Sequence, residues 1–281
     1  MLQDNSSNTQ LLSLEVIMVK TEEIEGYELT YEITGSGSRT VIILQEWGTN
    51  IQCYEKVSEV IGSEYRVIRL ELPGFNGSTE PREAWNTDAY ANFVCRFVQA
   101  LGVSNVALIG HGFGGRLAIK LASKKKLPFR ISQIVLINTA YKHPKGSFMK
   151  RRSIKKSKAL GQKFASYEVC EAYPELHDFL KNHYESGTNQ GISSVMQQSI
   201  IKCIDEDLTK DLREITQCVL LIYGAEDHSV PASMGNEMNK LLKNSSMDVL
   251  IRAGHYPFLE QDEVFPLALK RFFQIGVMTK R

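Results

Sequence analysis

The sequence predicts an α/β domain built on a mainly parallel sheet. Three observations lead there: short β-rich runs alternate with longer helical stretches, several of those runs are apolar almost throughout, and a helix-spaced apolar stripe lies between two of them. The runs are Leu14 to Val19 and Tyr27 to Thr34, expected to form an opening antiparallel pair, then Val41 to Leu44, Arg66 to Leu72, Val106 to Ile109, Gln133 to Asn138, Val219 to Tyr223 and Met247 to Ile251. The continuous apolar character of the central runs is what strands covered on both faces require. Between them, Ala89 to Leu101 carries Phe93, Val94, Phe97, Val98 and Leu101 on one helical face, which should pack on the sheet.

The rhythm breaks between Ala140 and about Asp207, where the pattern turns helical and polar with Pro144, Gly187 and Gly191 as punctuation. This predicts a core of residues 1–139 and 207–281 with a helical lid, 140–206, inserted between them. A basic cluster opens the insertion, with Lys142, Lys145, Lys150, Arg151, Arg152, Lys155, Lys156, Lys158 and Lys163 and no intervening acid. It reads as a solvated face, or as a rim that attracts an anionic ligand; Tyr141, Tyr167, Tyr173 and Tyr184 are candidate pocket walls.

Composition narrows the function classes. The 33 basic and 32 acidic residues nearly cancel, so nothing global points to nucleic acid. The five cysteines are scattered, with no C-x-x-C pair, which favours neither a zinc site nor a disulfide framework and fits a reducing cytoplasm. No signal peptide is read at the start of the chain, and no apolar run approaches the roughly 20 residues that cross a bilayer.

The chemistry-bearing segment is Val106-Ala-Leu-Ile-Gly110-His-Gly112-Phe-Gly114-Gly115, a strand entering a helix through a glycine-rich turn. This is the context of the nucleophile elbow G-x-S-x-G, with Gly112 where the serine belongs. There is no G-K-[ST] and no G-x-G-x-x-G with a downstream acid, so a phosphate loop is not indicated. Downstream, Gly224-Ala-Glu-Asp227 ends one strand and Gly254-His255 ends another, giving the order elbow, acid, histidine.

From Tyr27 to Phe273 the chain therefore resembles the bacterial lidded α/β hydrolases. Leu72-Pro73-Gly74-Phe75-Asn76-Gly77-Ser78 looks like their D-x-P-G-x-G-x-S loop, with Glu71 and Asn76 as departures. The resemblance implies that Asp227 orients His255 as base for position 112, that the backbone N–H groups of Trp47 and Phe113 form the oxyanion hole, and that no metal or organic cofactor is needed. Where relatives commonly read H-G-x-G, this chain has Gln45-Glu46-Trp47-Gly48, and Glu46 would oppose a developing oxyanion unless it pointed away.

Glycine has no atom to attack a carbonyl, and losing the serine of a comparable triad costs about a million-fold in kcat. Three readings follow: a binding protein that keeps a pocket for a small acyl or anionic ligand, without membrane contact; an enzyme (hydrolase, lyase or cofactor-free oxygenase) that uses the His255/Asp227 dyad; or a variant in which glycine replaces a native serine. His111, His228, Ser78 and Cys53 lie near these motifs and read as structural.

Overall fold

The computed structural model describes residues 18–142 and 193–275. An eight-stranded sheet is formed by β1 (Met18–Ile24), β2 (Tyr27–Thr34), β3 (Arg39–Leu44), β4 (Tyr65–Leu70), β5 (Asn105–His111), β6 (Arg130–Ile137), β7 (Cys218–Gly224) and β8 (Ser245–Leu250). Its spatial order is β1-β2-β4-β3-β5-β6-β7-β8; β1/β2 and β2/β4 are antiparallel and all other pairs parallel. This is the α/β-hydrolase fold that the sequence predicts.

Alternation along the strands makes two cores. On β3, Ile42 and Leu44 face one layer while Val41 and Ile43 face the other. The first layer is covered by α2 (Thr87–Ala100), through Phe93, Val94, Phe97 and Val98, and by α3 (Phe113–Ala122), through Leu117 and Leu121. The second is covered by α1 (Glu55–Ile61) and by the last helix of the described chain (Val264–Phe273). Helix α2 begins two residues before the expected stripe because the Asn86 side chain accepts from the Ala89 N–H at 2.9 Å and caps it.

The opening strand runs past its expected end at Val19: its described part is Met18–Ile24 and is mostly exposed, while 14–17 of the expected run lie outside the described residues. The hairpin turn decides its register: Glu25 and Gly26 both have positive φ (54° and 79°), the two-residue turn geometry that suits twisted antiparallel strands. Of the expected lid, residues 143–192 lie outside the described chain, and with them Tyr167, Tyr173, Tyr184 and most of the basic cluster. The described end of that region is α4 (Ser194–Ile204), which buries Met196, Ile200 and Cys203 against the first core. Tyr141, expected as a pocket wall, is a core residue, with its hydroxyl 2.8 Å from Glu237 Oε2.

One buried ion pair ties the antiparallel and parallel parts of the sheet together. Arg69 on β4 faces Glu32 on β2 at 2.7 Å, and both side chains are almost fully buried. Arg69 also donates to the Ile51 carbonyl (3.4 Å), and Gln52 Nε2 to Glu32 Oε1 (3.1 Å). Removing one partner strands a charge in the interior, so Arg69→Ala should lower unfolding free energy by about 3–5 kcal/mol in urea titrations. Arg39→Ala, which removes the exposed pair with Glu64 and a cation–π contact with the Tyr65 ring (4.4 Å), should cost less, about 1–2 kcal/mol.

Candidate active site

The chain leaves β3, crosses to β4 on one side and returns as β5 on the other, which opens a crevice at the carboxyl ends of β3 and β5. In open α/β sheets ligands bind at such a switch point. The loops after β3, β5, β7 and β8 bring Gln45 to Trp47, Gly112, Asp227 and His255 to this edge.

Gly112 has φ 47° and is the N-cap of α3. Its glycine neighbours are dictated by close approach. A Cβ on Gly110 would stand 2.5 Å from the Gly114 carbonyl oxygen, and one on Gly114 only 1.9 Å from the Leu44 carbonyl oxygen. Gly112 is different: a Cβ there would lie 1.2 Å from Glu46 Oε2. The space that a side chain at position 112 would take is filled by the carboxylate from the neighbouring loop.

That carboxylate takes both expected oxyanion donors. Glu46 Oε1 accepts from the Trp47 N–H at 2.5 Å, and Oε2 from the Phe113 N–H at 2.9 Å. Phe113 opens α3, so its N–H adds the positive end of the helix dipole. Trp47 stacks on Phe113 (ring centroids 4.0 Å apart) and packs beside Phe75 (5.0 Å), and these contacts fix the loop. The sequence allowed Glu46 to point away; it points in.

His255 Nδ1 lies 2.7 Å from Asp227 Oδ2. Asp227 Oδ1 accepts from the Ser229 and Val230 N–H groups (2.8 and 2.9 Å), so the same aspartate that partners His255 also closes the turn after β7. The far ring nitrogen, Nε2, stands 3.8 Å from Glu46 Oε2, which is ion-pair distance but beyond hydrogen-bond reach, and it has no hydrogen-bond partner among the described residues. Side-chain exposures of 12% for His255, 8% for Glu46 and 1% for Asp227 place all three charges in a poorly solvated site. Burial works against the imidazolium, but the two flanking carboxylates outweigh it and raise the His255 pKa to about 10.

Residues that the sequence left as structural organise the site from below. His111 Nε2 is 2.9 Å from the His255 carbonyl, which only accepts, so this nitrogen carries the proton and Nδ1 is the acceptor. Tyr54 Oη therefore donates to Nδ1 (3.0 Å) while accepting from the Glu46 N–H (2.9 Å). Burial, reinforced by the charge of His255, keeps the His111 pKa well below its usual value. The result is a directed chain from the Glu46 backbone through Tyr54 and His111 to the His255 backbone. Asn138, at φ 39°, completes the frame by donating to the Gly254 carbonyl (2.8 Å) and accepting from the Gly224 N–H (2.9 Å). A polar residue directly after a buried strand was the only sequence signal for Asn138, and Tyr54 gave none.

The other motif residues stand outside this set of hydrogen bonds. Glu71 accepts from the Ile51 N–H (3.0 Å) and Asn76 Nδ2 (2.8 Å), and Asn76 tolerates the positive φ of 40° at its glycine-like position. Ser78 Oγ bonds the Glu71 carbonyl (3.2 Å), Cys53 is half-buried in the 3-10 turn ahead of α1, and His228 is exposed.

The raised His255 pKa carries a stability consequence. An unfolded imidazole titrates near about 6.5, so the stabilisation is fully present below about pH 6.5 and is lost as pH rises through about 10. Two-dimensional NMR of the His255 ring should follow this titration, and Glu46→Gln should move it downward. Asp227→Asn should flatten the decline in stability over the same window; an unshifted ring titration in Glu46→Gln would separate Glu46 from His255.

Known proteins place the chain independently. A family model for the alpha/beta hydrolase fold matches residues 40–168. The "AB hydrolase superfamily protein YisY" of Bacillus subtilis is 26% identical, over 90% of this chain and 97% of that protein. The pimeloyl-[acyl-carrier protein] methyl ester esterase of Aliivibrio salmonicida is 25% identical, over 88% and 96%. Among solved structures, a bromoperoxidase from Bacillus anthracis superposes with a TM-score of 0.74 at 20% identity, covering 92% of this chain and all of the other. Sheet order, ordered motifs and these matches agree: the chain belongs to the α/β-hydrolase superfamily.

Proposed function

We propose that this chain is an α/β-hydrolase-superfamily protein without serine-hydrolase chemistry, which uses the site to hold a small acyl or anionic ligand. One observation carries the reading: the Glu46 carboxylate fills the nucleophile's place and binds both backbone donors of the oxyanion hole. With Gly112 there is no attacking oxygen, and with Glu46 in position a tetrahedral oxyanion has neither a vacant donor nor a tolerant field. The acyl side of the ligand class is supported by relatives named as pimeloyl-[acyl-carrier protein] methyl ester esterases.

The intact His255–Asp227 contact favours a second reading, proton chemistry by the dyad. A general base must be unprotonated, and His255 holds its proton up to about pH 10, so this reading requires Glu46 to leave the site first.

The test is labelling by a fluorophosphonate, and turnover of short-chain p-nitrophenyl esters, by the unsubstituted protein, Gly112→Ser, and Gly112→Ser combined with Glu46→Gly. The first should be inert. The double variant should react, and Gly112→Ser alone should lag it by about a hundredfold or more, the worth of an obstructed oxyanion hole. Ester turnover by the unsubstituted protein would overturn the proposal.

A further inference from the structure

We propose that the site is a carboxylate receptor in which Glu46 is the resident occupant, displaced when an external monocarboxylate binds to the Trp47 N–H, the Phe113 N–H and the His255 Nε2–H. This rests on the reading of the site as a serine-less binding site and names the chemical class of its ligand.

The donors are arranged around one point. Two are backbone N–H groups already seen to hold a carboxylate, at 2.5 and 2.9 Å. The third is a ring nitrogen enclosed by protein, aimed at the same carboxylate and bonded to nothing among the described residues. Nδ1 is taken by Asp227, so the imidazolium has one free proton to offer, and it faces the hole.

Glu46 satisfies this set imperfectly because of where it is attached. One of its donors is the amide of the next residue in the chain, so the carboxylate is drawn back along its own backbone, and Oε2 stops 3.8 Å short of Nε2. Two donors are used and a charged, buried one is left over, which is costly in a poorly solvated site. A carboxylate free of that tether can place one oxygen between the two N–H groups and the other on Nε2. Displacement disturbs little backbone, since the Glu46 N–H stays on Tyr54 Oη and its carbonyl on Thr49 Oγ1, 2.9 Å in each case. Gly112 supplies the remaining room, with no Cβ to narrow the hole.

The experiment is a titration of sodium acetate and sodium butanoate into ¹⁵N-labelled protein at neutral pH, following the Trp47 and Phe113 amide resonances and the His255 ring. The unsubstituted protein should show saturable shifts at all three. Glu46→Ala and Glu46→Gln, which remove the competing carboxylate, should bind at least about tenfold more tightly, and His255→Gln should lose about tenfold or more. If either Glu46 variant binds no better than the unsubstituted protein, if the two amides stay unmoved in both, or if the unsubstituted protein shows no saturable shift, the inference is overturned. It is overturned equally if ethanol or butanol shifts the His255 ring while the carboxylates do not, because the ligand would then bridge Glu46 and His255 instead of replacing Glu46. Ester turnover by the unsubstituted protein would end the serine-less reading, whereas these outcomes end only the assignment of the ligand.

Discussion

The arrangement of the site follows from one interaction, the insertion of the Glu46 carboxylate between the backbone N–H groups of Trp47 and Phe113. Those donors are fixed by the fold: one sits in the aromatic-clamped loop after β3, the other in the first turn of α3, at the positive end of a helix dipole. Such a pair favours negative charge whether it belongs to a reaction intermediate, a ligand or a side chain. The local electrostatics are thereby inverted. Where a serine triad keeps a neutral imidazole ready to take a proton, His255 is held between two carboxylates as an imidazolium.

Gly112 and Glu46 depend on each other. A Cβ at position 112 and the Glu46 carboxylate cannot share the same volume, so the glycine and the inward-pointing acid go together. Beneath them, the chain from the Glu46 N–H through Tyr54 and His111 to the His255 carbonyl joins the two loops that face each other across the site. Its first two bonds are buried and the third is part-buried, and the tautomer of His111 follows from the carbonyl it must serve, so the spacing between Glu46 and His255 is set mainly by protein rather than by solvent.

Much of the architecture was legible in the sequence, and the exceptions have physical causes. Strands β3 to β7 fall close to their apolar runs, because burial on both faces leaves an uninterrupted signature. The end of the first strand was not legible because its described residues are mostly exposed and its register is set by the Glu25–Gly26 turn, so hydrophobicity did not mark where it stops. At the site, the glycines and the Asp227 and His255 motifs were legible since each is required by a close approach or a short turn. The direction of Glu46 was not. It depends on a vacancy created 66 positions away at residue 112 and on a hydroxyl from Tyr54 that captures the Glu46 N–H, neither of which leaves a pattern in the local sequence. Asn138 and His111 were undervalued for a related reason: their roles are to bond backbone atoms of loops that only the folded sheet brings together.

The most direct test of the account is the position of the Glu46 side chain in a high-resolution crystal structure of the protein without added carboxylates or other anions. The account predicts the carboxylate against Gly112, with its oxygens on the Trp47 and Phe113 N–H groups and Asp227 on His255 Nδ1. A Glu46 side chain turned away, leaving water on those two N–H groups, would contradict it.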